Sequence, residues 1–401
     1  MGKKIVKSGI VALILGFGFG IAMMIGIGIT GLLVELSAPA SHIAVQMQLQ
    51  AETIIFETAD DEIAETPEIS DTFFETNDLS DIFDTEEDYE EFLEEFSNVT
   101  TITISAAGDV TLGGDERWHG YHRFMAEFER NGHAFFFENV RDIFYNSDLA
   151  IVNLEGTLTY AEEGADKPFI FRGPPHFAQI LSAGAVNVVS LANNHTFDYF
   201  EAGYIDTINA LRAEEIAFFG NEHNTIIEVQ GINVGLFGFR VWDTSQGNRN
   251  RITAAINDLK DRGADLIIAY HHWGAEHENI ANTVQREMAR HTVNAGANLV
   301  LGSHPHVIQG LEVYNNVNIV YSLANFSFGG NSNPSDQDTF IFQQTFTFID
   351  GELLQDNETV IIPAFISSVR NTNNFQPTPA TGADAERILE RLRKYSKAEP
   401  Q

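Results

Sequence analysis

The 401-residue sequence sets 57 Asp and Glu against 23 Lys and Arg, for a formal net charge of -34, and it contains no cysteine. So acidic a balance argues against nucleic acid as a partner, because phosphate binding needs clustered Lys and Arg. The absence of cysteine excludes disulfides and thiolate metal sites, which leaves His, Asp, Glu, Asn and backbone oxygen as possible metal ligands.

The chain opens with Lys3, Lys4 and Lys7, and the next charge is Glu35. Residues 8–34 are thus an uncharged apolar run long enough to cross a bilayer as a helix. No Lys or Arg follows until Arg117. The positive-inside rule then places the N-terminus in the cytoplasm and the rest of the chain outside the cell membrane, as a single-pass protein. A cleaved signal peptide is the alternative, since SAPAS offers small residues near the end of the run.

Residues 37–99 read as an acidic, largely disordered linker, with no basic residue between Glu52 and Glu95. Self-repulsion keeps such a chain extended and suits it to hold a domain away from the membrane. A segment that folds on a partner is the other reading.

Residues 100–370 alternate β-rich apolar runs with helical stretches, which predicts an α/β domain. The expected strands cover 101–107, 148–154, 186–192, 232–239, 265–271, 297–302 and 318–323. The expected helices cover 176–184, 201–213, 251–262 and 283–295. Runs at 339–349 and 358–366 flank an Asp-Gly pair and read as a hairpin, so a purely parallel sheet is not expected. Residues 371–401 read as a tail with a short amphipathic helix.

Polar residues gather where these strands end. Asp109 follows the first, Glu155 the second, and Asn193, Asn194 and His195 the third; His271, His272 and Glu276 follow the fifth, and Ser303, His304 and His306 the sixth. Sites in open α/β sheets form outside the carboxyl ends of strands. Neighbouring strand residues face opposite sides, so at most one of His271 and His272 enters a shared site. Carboxylate, imidazole and amide oxygen together suit one or two divalent ions such as Mn, Zn or Fe. Two such ions serve displacement at phosphorus or hydrolysis of an amide, and the residues do not choose between these reactions.

The motifs GDVTLGG, NLEGTLT, LANNHTFDYF, HHWGAEH, GSHPHVIQG and YSLANFSFGG, in this order, resemble the CapA family of capsule (poly-γ-glutamate) synthesis proteins. That family is similar to the calcineurin-like metallophosphoesterases. The resemblance implies a four-layer α/β/β/α sandwich and a role with an anionic surface polymer and other membrane components of a capsule synthesis complex. It implies Asp109 and His306 on a first metal, Glu155 as a bridge, and Asn194, His272 and His304 on a second. It makes His195 a proton donor or charge stabiliser oriented by Asp198, sets Trp273 and Glu276 either behind the metal ligands or along the cleft, and gives Arg172 an anionic substrate group to grip. The wider phosphoesterase pattern begins Asp-x-His, whereas this sequence reads Asp109-Val110-Thr111. The first metal therefore lacks a histidine, for which His119 and His122 are the spare candidates.

Overall fold

A computed structural model describes residues 99–354 and 359–398. The expected anchor at 8–34 and nearly all of the expected linker lie outside the described residues. Among the described residues, no helix is long and apolar enough to cross a membrane.

The first sheet begins with β1 (Val99–Thr111), followed by α1 (His119–Asn131), a 3-10 turn (Ala134–Phe137), α2 (Arg141–Tyr145) and β2 (Leu149–Leu154). A small pair, β3 (Thr157–Leu158) and β4 (Arg172–Gly173), precedes α3 (Ala178–Ala183), β5 (Val188–Ser190), α4 (Phe200–Ala213) and β6 (Ala217–Phe219). The chain then builds a second sheet. It runs through β7 (Thr225–Val229), β8 (Ile232–Phe237), β9 (Arg240–Val241), α5 (Gln246–Asp261), β10 (Leu266–Trp273), α6 (Thr283–Ala295), β11 (Leu299–Ser303), β12 (Leu311–Tyr314) and β13 (Val317–Val320). It returns to the first sheet with β14 (Asn325–Phe328), β15 (Asp338–Ile349), β16 (Glu352–Leu354), β17 (Thr359–Phe365) and β18 (Thr378–Pro379), and ends on α7 (Gly382–Ser396).

The fold is mixed α/β with several sheets, as expected. In the first sheet β1 runs parallel to β2 and β14 but antiparallel to β15. In the second, β10 lies between β8 and β11, parallel to both. Each expected strand and helix falls on an observed one, while α1 and α2 were not foreseen. The hairpin forms with its Asp-Gly turn, Asp350 and Gly351 both at positive φ (54° and 81°). Its returning arm is split, with β16 pairing the end of β15 and β17 the start.

Period-two alternation sorts side chains into layers. Ile102, Ile104 and Ala106 of β1 and Ile151 of β2 meet Leu236 of β8, Leu266 and Ile268 of β10 and Leu299 and Leu301 of β11 between the two sheets. The opposite face of the first sheet carries Val110, Ala150 and Val152, packed against Phe124 of α1, Phe144 of α2, Ile180 of α3 and Leu211 of α4. The opposite face of the second carries Ile267, Ala269 and Val300, packed against Ile256 of α5 and Met288 of α6. Helices thus flank a pair of facing sheets. Each fully buried Leu, Ile or Phe contributes about 1.5–3 kcal/mol relative to exposure. Helix α7 is tied in as well, with Ile388 and Leu392 buried in the core between the sheets.

One irregularity in β1 sets the site. Its register against β2 shifts between Ala107 and Asp109. The extra residue, Gly108, moves the alternation by one position, so Val110 joins the outer core and Asp109 shares a face with Asn153, its partner in β2. A Cβ on Gly108 would stand 1.7 Å from Ala324 O, so no other residue fits the bulge.

Candidate metal centre

The same alternation delivers the other groups. In β10, Leu266, Ile268 and Tyr270 point between the sheets, and His272 continues that series. His271 points the other way and bonds Thr292 Oγ1 at 3.1 Å. Beyond β11 the chain turns sharply through His304 and His306, which hold φ values of 95° and 60°. Such angles are uncommon for a residue with a Cβ and cost roughly 1–3 kcal/mol, a strain typical of functional sites. Here they bring both imidazoles back over the sheet ends, with ring centroids 5.9 Å apart.

Ligand-capable atoms of Glu155, His272 and His304 lie within 4.8 Å of one another, as do those of Asp109, Glu155 and His306. Glu155 is common to both groups. A third group joins Glu276 to His304 and His306. Asn194 Oδ1 lies 2.6 Å from His272 Nε2, so the amide converges on the same place. The supporting contacts are specific. Asn153 Nδ2 donates to Asp109 Oδ1 at 2.7 Å, Ser303 Oγ meets His272 Nδ1 at 2.9 Å, and Asn325 Oδ1 meets His306 Nδ1 at 2.9 Å. Partners of this kind fix ring orientation in metal sites.

The residues fit a divalent cation. Both carboxylate oxygens of Glu155 and Nδ1 of His304 are buried without a hydrogen-bond partner. An unmet buried carboxylate is costly, and a divalent cation held by these residues would offset its charge. The electrostatics agree. Burial, followed by the nearby Asp109 charge, pushes the Glu155 carboxyl well above its usual range. Burial lowers His306, but Glu155 and Asp109 outweigh it and raise the imidazole to about 9. Burial and the neighbouring His306 bring His304 down to about 4. Burial, with His304 beside it, also holds His272 well below the ordinary value, in the neutral form that ligates metal.

Beside this cluster, His195 Nδ1 lies 2.5 Å from Asp198 Oδ2. Its ring stacks on Phe171 with centroids 4.1 Å apart, and its Nε2 is 3.9 Å from Glu155 Oε1. Buried Asp198 also accepts from Phe171 N at 2.7 Å and Lys167 Nζ at 2.5 Å. Asn193 is buried too: its amide donates to Asn153 Oδ1 and Leu154 O, and its oxygen accepts from His195 N at 3.0 Å. It is a tie between the turn and β2 as well as a turn residue.

The profile described as "Bacterial capsule synthesis protein PGA_cap" matches residues 103–330. The chain belongs to this family. The PGA biosynthesis protein CapA of Bacillus subtilis (strain 168) is 29% identical over 57% of this chain and 63% of its own length. The capsule biosynthesis protein CapA of Bacillus anthracis is 27% identical over 73% of each chain. A probable polyglutamine synthesis accessory protein of Mycobacterium tuberculosis (strain ATCC 25618 / H37Rv) is 27% identical over 44% of this chain and 54% of its own length. The chain thus spans a little under two thirds of the Bacillus subtilis relative.

Within this PGA_cap domain the expected site residues separate. Asp109, Glu155, Asn194, His272, His304 and His306 come together, with the pair His195 and Asp198 alongside. Glu276, expected to stand behind the ligands or to line the cleft, offers a carboxylate to the cluster. Trp273 does not reach the cleft. It is wholly buried in the outer core of the second sheet, and its indole donates to Tyr321 O at 2.9 Å. Arg172 is engaged elsewhere: it pairs with Glu116 at 2.6 Å, donates to Ala161 O and lies over the Tyr199 ring. His119 and His122 sit on α1 and belong to none of the ligand groups among the described residues. Lys167, Asn153 and Asn325 were missed. Asn153 and Asn325 both lie inside motifs that were read, NLEGTLT and YSLANFSFGG.

Proposed function

We propose that the protein acts at the cell membrane in synthesis, export or processing of an anionic surface polymer, poly-γ-glutamate, through a metallophosphoesterase-like metal site. The family and the names of its Bacillus relatives support the polymer. The observation that carries the site is the convergence of Asp109, Glu155, His272, His304 and His306 around two buried carboxylate oxygens without partners. The basic tip and apolar run at 8–34 support a single-pass anchor with the domain outside the cell, beside the other membrane components of a capsule complex.

One or two divalent ions, of Mn, Zn or Fe, would be held by Asp109, Glu155, Asn194, His272, His304 and His306. When bound, such ions supply Lewis acidity toward a phosphoryl or carbonyl oxygen. The chain's own groups do the rest. Asp198 takes the Nδ1 proton of His195 in a hydrogen bond and so turns Nε2 toward Glu155 and the cleft. Lys167 neutralises Asp198. Burial outweighs Asp198 and lowers His195, so its imidazole stands neutral near pH 7, ready to take up a proton and return it. This arrangement fits hydrolysis of a phosphoester or of a γ-glutamyl amide.

A non-catalytic scaffold that holds polymer or a partner is the second reading. One observation favours it. The residue at the place of the expected histidine is Thr111, and its hydroxyl is spent on Glu155 O at 2.7 Å. Complementation separates the two. Full-length His304→Ala and His195→Ala chains that fail to restore capsule in a deletion strain, at normal expression, support catalysis. Full restoration supports the scaffold. Assay of phosphoesters and γ-glutamyl amides, with metal and with chelator, then names the reaction.

A further inference from the structure

We propose that Arg240 and Trp242 form a substrate edge beside the metal centre: Arg240 takes a carboxylate of an acidic peptide polymer, and the Trp242 indole packs on its methylenes. This rests on the polymer reading above and names the residues that would recognise it.

Strand β9 is only two residues long and runs parallel to β10, with Arg240 opposite His272 and Val241 opposite Trp273. Paired residues of a ladder share a face. Val241 and Trp273 are both buried in the outer core, so Arg240 and Trp242 fall on the side of His272. The rings agree: Trp242 stands edge-on to His304 at 4.8 Å and to His272 at 6.0 Å between centroids. Yet Trp242 is 46% exposed. A large indole set against metal-ligand imidazoles and open to solvent is a contact surface for what enters the site.

Arg240 differs from the other cations nearby. Lys167 is held by Asp198, Arg172 by Glu116 and Arg251 by Glu222. The exposed Arg240 side chain has no hydrogen bond or ion pair among the described residues. It shares a cleft with Trp242, Asp243, Asn248 and Arg251. The Asp243 carboxylate is turned toward the start of α5, where it accepts from Ser245 N and Asn248 Nδ2, both at 2.9 Å. Of the two guanidiniums in the cleft, Arg240 is therefore the one without a carboxylate partner, and the Asp243 charge is drawn toward neutral donors at the start of α5 rather than to Arg240. A planar guanidinium binds a carboxylate through two parallel N–H bonds. The indole beside it favours an anion joined by methylenes over a polyphosphate, which has no apolar part.

The test is binding of fluorescent poly-γ-glutamate to the Mn-loaded full chain, with polyphosphate of equal charge as competitor. Arg240→Gln is expected to weaken binding roughly ten- to hundred-fold, as loss of a charged hydrogen-bonding partner does, with bound metal unchanged. Arg240→Lys should fall between, and Trp242→Ala should weaken poly-γ-glutamate without strengthening polyphosphate. If wild type binds poly-γ-glutamate and Arg240→Gln binds it equally well, the edge is wrong and the polymer reading stands. If polyphosphate competes as well as unlabelled poly-γ-glutamate, the assignment to a peptide polymer is overturned. If the loaded wild-type chain binds no poly-γ-glutamate even at low salt, both fall.

Discussion

Glu155 Oε1, at the end of a strand in the first sheet, lies 3.7 Å from His272 Nε2, at the end of a strand in the second. Neither Glu155 oxygen has a hydrogen-bond partner. The two sheets thus meet at a carboxylate whose charge only a cation or a proton offsets. The site is a property of the sheet pairing, and of the bulge at Gly108 that turns Asp109 inward.

Metal uptake should depend on pH through His306. Its imidazole is raised to about 9, because Glu155 and Asp109 outweigh burial. It must shed a proton to ligate. The raised Glu155 carboxyl must do the same, so affinity measured by titration calorimetry should rise by at least about ten-fold per pH unit from about 6 toward 9, with proton release on binding. A flat profile would remove His306 from the ligand set.

Glu276 should matter less than Glu155. It is exposed and reaches only His304 and His306. Glu276→Gln is expected to lower metal affinity by about ten-fold, at the mild end of what altering a supporting group costs, without changing thermal stability. No change in metal affinity would return Glu276 to the cleft wall.

Asp198→Asn should be costly to the fold. It removes the charge that Lys167 and His195 share at a buried position. Lys167 is about a third exposed and can turn to water, so the cost is that of weakening hydrogen bonds to a buried charged acceptor, about 1.5–2 kcal/mol. Chemical denaturation should show that loss, with metal content retained. Stability equal to wild type would mean that Lys167 and Asp198 do not interact in solution.

How much of this was legible in the sequence differs residue by residue. The convergence of Asp109, Glu155, Asn194, His272, His304 and His306 was legible because each follows an apolar run that reads as a strand. The exclusion of Trp273 was also legible, though it was not drawn. If His272 faces the site, period-two alternation sends Trp273 to the face of His271. The bulge at Gly108 leaves no local signal, since only the approach of Ala324 O demands it. Lys167 comes from a loop 31 residues before Asp198, and no short-range pattern links them. Arg240 and Trp242 were hidden by the reading of 232–239 as one strand, which stops just before them.

Trp273→Phe tests the corrected placement. It leaves Tyr321 O with only a 3.5 Å contact from Gln285 and opens space in a packed core, for a cost of about 2 kcal/mol. Metal and polymer binding should be unchanged. Loss of polymer binding with stability intact would put the indole back in the cleft.

Helix α7 should be clamped by charge. Asp338 pairs with Arg387 at 2.5 Å and also with Arg391, which holds Asp336 at 2.6 Å. Burial would raise the Asp338 carboxyl, but its bonds to Arg387 and Arg391 prevail and lower it below 3.8. A depressed carboxylate gives stability that is full above its unfolded value and lost as pH falls through the folded one. Acid unfolding followed by circular dichroism should therefore begin at higher pH in Arg391→Ala than in wild type. Coincident acid transitions would contradict the clamp.

The central claim, a metal centre built on Glu155, is tested most directly by the metal content of the purified full chain after incubation with Mn or Zn and removal of excess. Wild type should retain one or two equivalents, and Glu155→Gln and His304→Ala should each retain less, with folding intact by circular dichroism. Metal content unchanged in both variants would contradict the site.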